Sequence, residues 1–166
     1  MKSLFSIISF TALVFTFSFA QDNVVVKRTS HFNLEKSIAI KGYDPVVFFN
    51  TDKATQANGT ITHEYNGVKY FFTSTKNLNQ FKTTPSKFEP QYGGWCASHM
   101  GIDGSQVESN PQCFTVNDGK LYLFASAKDK NQWEKKSMET EGNNNWNDIM
   151  NYIASRWQYL SSISNS

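Results

Sequence analysis

The stretch from Tyr92 to Met100, Tyr-Gly-Gly-Trp-Cys-Ala-Ser-His-Met, holds a thiol, an imidazole and a thioether close together in the chain. It contains one of the two cysteines and one of the three histidines of the protein. No helix breaker follows the glycine pair within this stretch. If its second half is helical, Cys96, His99 and Met100 stand at i, i+3 and i+4 and share one face. These donors suit Cu(I), and the first two also suit zinc. The spacing therefore predicts a soft-metal site, with copper favoured.

The sulfur of Cys96 allows other interpretations. Three donors do not complete a tetrahedral site, so His63 or Cys113 would have to supply a further ligand. Cys96 can instead be a buried core residue, because a free cysteine behaves as a small hydrophobe. In a secreted chain it can also form a disulfide with Cys113. A reactive thiol with His99 as its base is a further alternative.

The motif search favours binding over catalysis. The chain has no Cys-x-x-Cys, no Gly-x-Ser-x-Gly, no phosphate loop and no His-Glu-x-x-His. The basic residues are scattered and the formal net charge is +2, which argues against a nucleic acid as partner. The remaining partners are a metal ion or an unidentified protein. An enzyme is the least favoured class.

The first 20 residues have the pattern of a secretory signal peptide. Lys2 is followed by an apolar run, and Ser18-Phe19-Ala20 has small residues at the positions that a signal peptidase recognises. Cleavage after Ala20 predicts a mature chain in the extracellular space or secretory lumen, or in the periplasm of a bacterium. No later segment is apolar for long enough to span a membrane. Asn58-Gly59-Thr60 is an N-glycosylation sequon, so Asn58 is a predicted glycan site.

The turn and capping signals predict an α+β fold with a small antiparallel sheet built from two β-hairpins and helices packed against it. Asn-Gly at residues 66–67 and Asp-Gly at residues 118–119 each lie between β-forming residues, which is typical of a hairpin. Ser74 and Ser126 are placed to begin helices. Residues 141–145 are polar and predict a break, after which Asn145 caps an amphipathic helix running to about Leu160. The predicted organisation is an arm at 21–37, a domain at 38–160 and a disordered tail at 161–166.

Several of these motifs occur together in one known order. They are Gly-Tyr-Asp-Pro-Val at 42–46, the first hairpin, Gln-Tyr-Gly-Gly-Trp-Cys-Ala at 91–97 and Val-Asn-Asp-Gly-Lys-Leu-Tyr-Leu at 116–123. In this order the chain resembles the secreted YHS domain-containing proteins over about residues 38–160. The resemblance implies an association with metal binding. In related domains the cysteines follow the first hairpin, where this sequence has none, so only Cys96 matches a position of the family motif.

Overall fold

The computed structural model describes residue 25 and residues 28–164, without the side chains of 153, 157, 158 and 160–164. The predicted signal peptide therefore lies outside the described residues. The strands are β1 (Leu34–Glu35), β2 (Ile38–Ala39), β3 (Ile61–Tyr65), β4 (Val68–Phe72), β5 (Asn110–Asn117) and β6 (Lys120–Phe124). The helices are α1 (Thr75–Thr83), α2 (Pro85–Phe88), α3 (Ala97–Asp103), α4 (Ala127–Lys136) and α5 (Glu139–Ser164). This content confirms the predicted α+β class.

The two predicted hairpins are present but belong to different sheets. The first is β3–β4, in which Tyr65 pairs with Val68 and His63 pairs with Tyr70, as the Asn-Gly turn predicts. It forms half of a four-stranded sheet of order β1-β2-β4-β3, in which β2 runs parallel to β4. The second hairpin, β5–β6, is a separate two-stranded sheet. Strands β1 and β2 have two residues each, which is too short for an alternating pattern to be visible in the sequence.

The alternating side chains of β6 divide the interior into two cores. Leu121 and Leu123 pack into the first core, beneath the four-stranded sheet. Tyr122 and Phe124 point to the opposite face, as the period of two requires, and pack into the second core beside α3 and α4. All four are fully buried. Strand β6 therefore lies between the two cores and contributes side chains to both.

Local capping signals fix the starts of α1 and α4. Ser74 Oγ accepts a hydrogen bond from the Asn77 backbone N–H at 3.2 Å. Ser126 Oγ accepts one from the Asp129 backbone N–H, also at 3.2 Å. Both predicted caps are confirmed. Because each serine satisfies a backbone donor that the first helical turn leaves unpaired, the helices begin directly after them.

The last helix differs from the prediction at both ends. It begins at Glu139 and passes without a break through the polar residues 141–145. Tertiary contacts explain this: Gly142 is buried against Tyr92, and the Asn145 side-chain amide donates to the Met100 carbonyl at 2.8 Å. Asn145 is thus an interior residue and not a cap. The helix also continues to Ser164, four positions into the segment predicted as a tail. In the described part of the chain, no helix is both long and apolar enough to cross a membrane.

Candidate metal centre

A turn with left-handed backbone angles precedes Cys96 and positions it beside β6. Tyr92, Gly93 and Gly94 have φ values of 56°, 60° and 87°, a run that the glycine pair makes accessible. The chain then straightens, and Cys96 forms a parallel bridge with Leu123 of β6. Its backbone N–H donates to the Val107 carbonyl at 2.9 Å. The sulfur is therefore held on the edge of the second sheet by backbone contacts on both sides.

The predicted helix begins one residue after the cysteine. Helix α3 starts at Ala97, and Cys96 occupies its N-cap position with φ −62° and ψ 115°. The Cys96 carbonyl accepts the Met100 backbone N–H at 3.0 Å, so the first turn of α3 is built on this residue. The expected spacing still brings His99 to Cys96, because one turn separates them. The His99 Nδ1 atom lies 3.3 Å from the Cys96 sulfur.

Asp129 completes a group of three. The Cys96 sulfur, a ring nitrogen of His99 and a carboxylate oxygen of Asp129 all lie within 4.8 Å of one another. Asp129 comes from the first turn of α4, and Ser126 Oγ donates to its Oδ2 at 2.5 Å. The sequence places Asp129 only in a capping role. Its part in the site follows from the connection of β6 to α4, because β6 lies beside Cys96.

The sulfur itself is desolvated. Cys96 is 0% exposed, and its neighbours in the second core include Met100 and Trp133. The Ala125 backbone N–H donates to the Cys96 sulfur at 3.2 Å. This donor is an outer contact of the kind that orients a sulfur ligand, and the thiolate is the form of cysteine that binds metal ions. His99 and Asp129 are only half-buried, so the group extends from the core to the surface.

One separation within the group, between the sulfur and the imidazole nitrogen, matches that of two ligands in a tetrahedral metal site. Zinc binds sulfur at about 2.3 Å and imidazole nitrogen at about 2.0 Å, so tetrahedral coordination separates those two ligand atoms by about 3.5 Å. The observed separation of 3.3 Å between Cys96 Sγ and His99 Nδ1 is close to that value. The hydrogen bonds from Ser126 and Ala125 correspond to the outer contacts that orient metal ligands in proteins.

Of the other predicted ligands, Met100 shares the second core with Cys96, whereas His63 and Cys113 stand outside the group of three. Met100 is fully buried in the second core. His63 lies on β3, where its ring packs against Phe81 with the centroids 6.3 Å apart, and burial lowers its pKa. Cys113 lies on β5, outside the group formed by Cys96 and its two partners. Both cysteines are free thiols in this structure, so the alternative of a Cys96–Cys113 disulfide is not the arrangement seen.

Asp103 is a charged residue close to His99, one turn further along α3. Hydrogen bonds from the Ser105 side chain and backbone lower the pKa of Asp103, and the positive form of His99 adds to this effect. The Ser105 N–H lies 2.9 Å from Asp103 Oδ1. Asp103 is therefore a carboxylate at neutral pH, and it adds negative potential on the solvent side of the site.

The predicted glycan site is exposed at the start of the first hairpin. Asn58 is exposed, and its Oδ1 accepts from the Thr60 backbone N–H at 3.1 Å and the Thr60 hydroxyl at 2.8 Å. This is the local side-chain turn that asparagine commonly forms. Accessibility is compatible with glycosylation, which stays a prediction.

Comparison with known proteins adds no relative. No family model, no curated protein and no solved structure matches this chain. The site consists of a buried sulfur, an imidazole and a carboxylate that come together beside β6, from the start of α3 and the first turn of α4.

Proposed function

We propose that this protein is a secreted, YHS-like metal-binding module in which Cys96, His99 and Asp129 are the ligands. The observation that carries the proposal is the meeting of three different donor atoms within 4.8 Å. Two come from the start of α3, and the third comes from a helix later in the chain. Two of the donors are held by other parts of the protein, Cys96 by β6 and Asp129 by Ser126.

The donor set bears on the choice of ion. A carboxylate is a hard ligand, whereas Cu(I) prefers thiolates and thioethers. With Asp129 in place of Met100, the set suits Zn²⁺ and Cu²⁺ better than Cu(I). Zinc is the ion we favour. The sequence-based preference for copper, with Met100 as a ligand, is the competing assignment.

A metal titration of the reduced, purified mature protein tests the proposal. We expect one equivalent of Zn²⁺ to bind, and we expect Cys96→Ser and His99→Ala each to weaken binding by more than the roughly 10- to 100-fold that loss of an outer contact causes. Cys113→Ser and His63→Ala are the matched controls, since they remove the same side chains from outside the group. Preference for Cu(I), lost in Met100→Leu and kept in Asp129→Asn, would support the copper assignment instead. Absence of binding would refute the proposal.

The second candidate is a structural or protein-interaction module without a metal. The observation that favours it is the complete burial of Cys96, because a buried free cysteine is also a common core residue. On this account Cys96→Ala and Cys96→Ser alter stability only. A metal titration with no uptake, in a protein that is folded by circular dichroism, would decide in favour of this candidate.

An enzyme with a Cys96 nucleophile is disfavoured. The sulfur lies within reach of a base, His99, and a third group, Asp129, stands nearby, which is the pattern of an activated thiol. A nucleophile must also reach its substrate, and the Cys96 side chain has no exposed surface. The same three residues are better arranged to enclose a small ion than to attack a larger molecule.

A further inference from the structure

We propose that the ion bound by Cys96, His99 and Asp129 keeps one coordination position for an external, neutral nitrogen ligand such as an imidazole. This inference rests on the proposed function and concerns what that site would bind. An ion closed by four protein ligands is structural, whereas three protein ligands leave a position for water or another molecule. The inference therefore distinguishes an exchangeable site from a permanent one.

The first argument is the number of donors. Among the described residues, the group of histidine, cysteine and acidic ligand atoms within 4.8 Å of one another consists of these three. Of the other predicted ligands, His63 packs on Phe81, Cys113 lies on β5, and Met100 is fully buried in the core that contains Cys96. Zinc prefers four ligands in proteins, so a set of three leaves one position to be filled from outside.

The second argument is the direction from which a ligand can approach. Cys96 has no exposed surface, and it lies in the buried core that also contains Met100, Phe124 and Trp133. His99 and Asp129 are half-buried and reach the surface between α3 and α4. An ion held between a buried sulfur and two donors at the surface has its remaining position on the solvent side.

The third argument is charge, and it selects the class of ligand. A thiolate and a carboxylate balance a divalent ion, since the metal-bound imidazole is neutral. Asp103, an exposed carboxylate one turn beyond His99 on α3, adds negative potential. A site of zero net charge does not attract an anion, and Asp103 would repel one, whereas water or a neutral nitrogen donor meets no such repulsion. A histidine of a partner that delivers or receives the ion has this chemistry.

Cobalt substitution tests the inference on the full mature protein. Co²⁺ takes the place of zinc, and its visible absorption reports both sulfur ligation and coordination number. We expect a sulfur-to-cobalt band that is lost in Cys96→Ser, and a saturable shift of the visible bands on adding imidazole. Azide, the anionic probe, should shift them at least ten-fold more weakly. Met100→Leu should leave the spectrum and the shift unchanged.

Each contrary outcome has a separate meaning. A cobalt spectrum that imidazole does not move would overturn the open position and leave the proposed function intact. A spectrum changed by Met100→Leu would mean that the Met100 thioether fills the fourth position, and it would also overturn the inference. Loss of the sulfur band on adding imidazole would overturn it too, because imidazole would then be displacing Cys96. No cobalt spectrum at all would refute the proposed function together with the inference.

Discussion

Asp44 shows how one buried side chain can hold several segments together. Its side chain is fully buried and accepts four hydrogen bonds, from the Val46 N–H at 2.9 Å, the Thr73 N–H and hydroxyl at 2.7 Å each, and the Asn77 amide at 2.8 Å. These donors belong to the turn after Asp44, the end of β4 and the first turn of α1. A buried carboxylate is tolerated only with such complete hydrogen bonding. Asp44 is therefore a structural residue.

Replacement of Asp44 should be strongly destabilising. We expect Asp44→Ala to lower the free energy of unfolding by about 3 kcal/mol, because it leaves several buried donors without an acceptor. Asp52→Ala, at an exposed position a few residues later, should change it by less than about 0.5 kcal/mol. Urea unfolding measures both. Equal effects of the two substitutions would contradict the structural role of Asp44.

Asp129 is the residue of the site that could not be predicted from the sequence. Cys96 and His99 can be predicted from spacing, because the two lie within one turn of chain. Asp129 has a complete local explanation, the cap with Ser126, so its sequence context gives no reason to look further. Its position within 4.8 Å of the other two ligand atoms depends on β6 lying beside Cys96, a pairing between residues far apart in the chain. Local patterns do not encode such pairings.

Helix α3 packs at Gly101 against Met138, the residue directly before α5. A methyl group added there would lie 2.7 Å from the Met138 Cβ and 2.9 Å from the Met138 carbonyl oxygen. The second of these is backbone, which cannot rotate away. The close approach also brings the Asn145 amide to the Met100 carbonyl. Gly101 is thus a glycine required by helix packing.

Gly101→Ala should destabilise the protein although alanine favours helices. The gain in helix propensity is about 1 kcal/mol, and overpacking against backbone typically costs about 1–3 kcal/mol. We expect a net loss of stability. Ile102→Ala, at the exposed neighbouring position of α3, should have little effect. A thermal melt showing Gly101→Ala to be more stable than wild type would refute the packing described for these helices.

The start of α5 is joined to β6 by an ion pair. Lys120 Nζ lies 2.7 Å from Glu139 Oε1, and this interaction lowers the pKa of Glu139 below its ordinary value of 4.5. A carboxyl group with a lowered pKa in the folded state stabilises the protein above its unfolded pKa. That stability is lost as the pH falls through the folded pKa. Because both side chains are partly exposed, the effect should also weaken with salt.

Glu139→Gln should therefore reduce the dependence of the free energy of unfolding on pH in the acidic range. We expect the variant to be less stable than wild type at about pH 6, and the difference to shrink towards about pH 3, where the wild-type carboxyl is protonated. Glu141→Gln, in the same first turn but exposed, controls for interactions with the helix dipole. Urea midpoints across this range give the comparison. A difference that does not vary with pH would contradict the role of the ion pair.

The hairpins and the starts of α1 and α4 could be predicted from the sequence. Strands β1 and β2 and the start of α5 could not. Asn-Gly and Asp-Gly specify their turns through backbone preference, so both hairpins are predicted with their turn residues in place. Strands β1 and β2 have two residues each and form only because Ile38 pairs alongside Lys69 of β4. The polar start of α5 is helical because Gly142 and Asn145 meet other elements. Where tertiary contacts determine the secondary structure, the local sequence pattern does not predict it.

The whole molecule is organised around β6, which carries one core on each face. The N-terminal segment is joined to the first of these by Arg28, whose guanidinium donates to Glu89 and lies 4.6 Å from the ring centre of Phe32. Glu89 also accepts from the Tyr70 hydroxyl. The candidate metal centre lies on the other side, in the second core. The Arg28–Glu89 ion pair therefore lies on one side of β6, and the proposed binding site lies on the other.

The most direct test of the candidate metal centre is native mass spectrometry of the wild-type protein beside Asp129→Asn, with Asp148→Asn as the control at an exposed aspartate. Thiol alkylation after unfolding runs in parallel. We predict that both cysteines are alkylated and that wild type and Asp148→Asn carry the mass of one metal ion, which Asp129→Asn loses. A wild-type mass two hydrogens light, with no ion and no alkylation, would mean a disulfide. Metal retained in Asp129→Asn would equally contradict the site described.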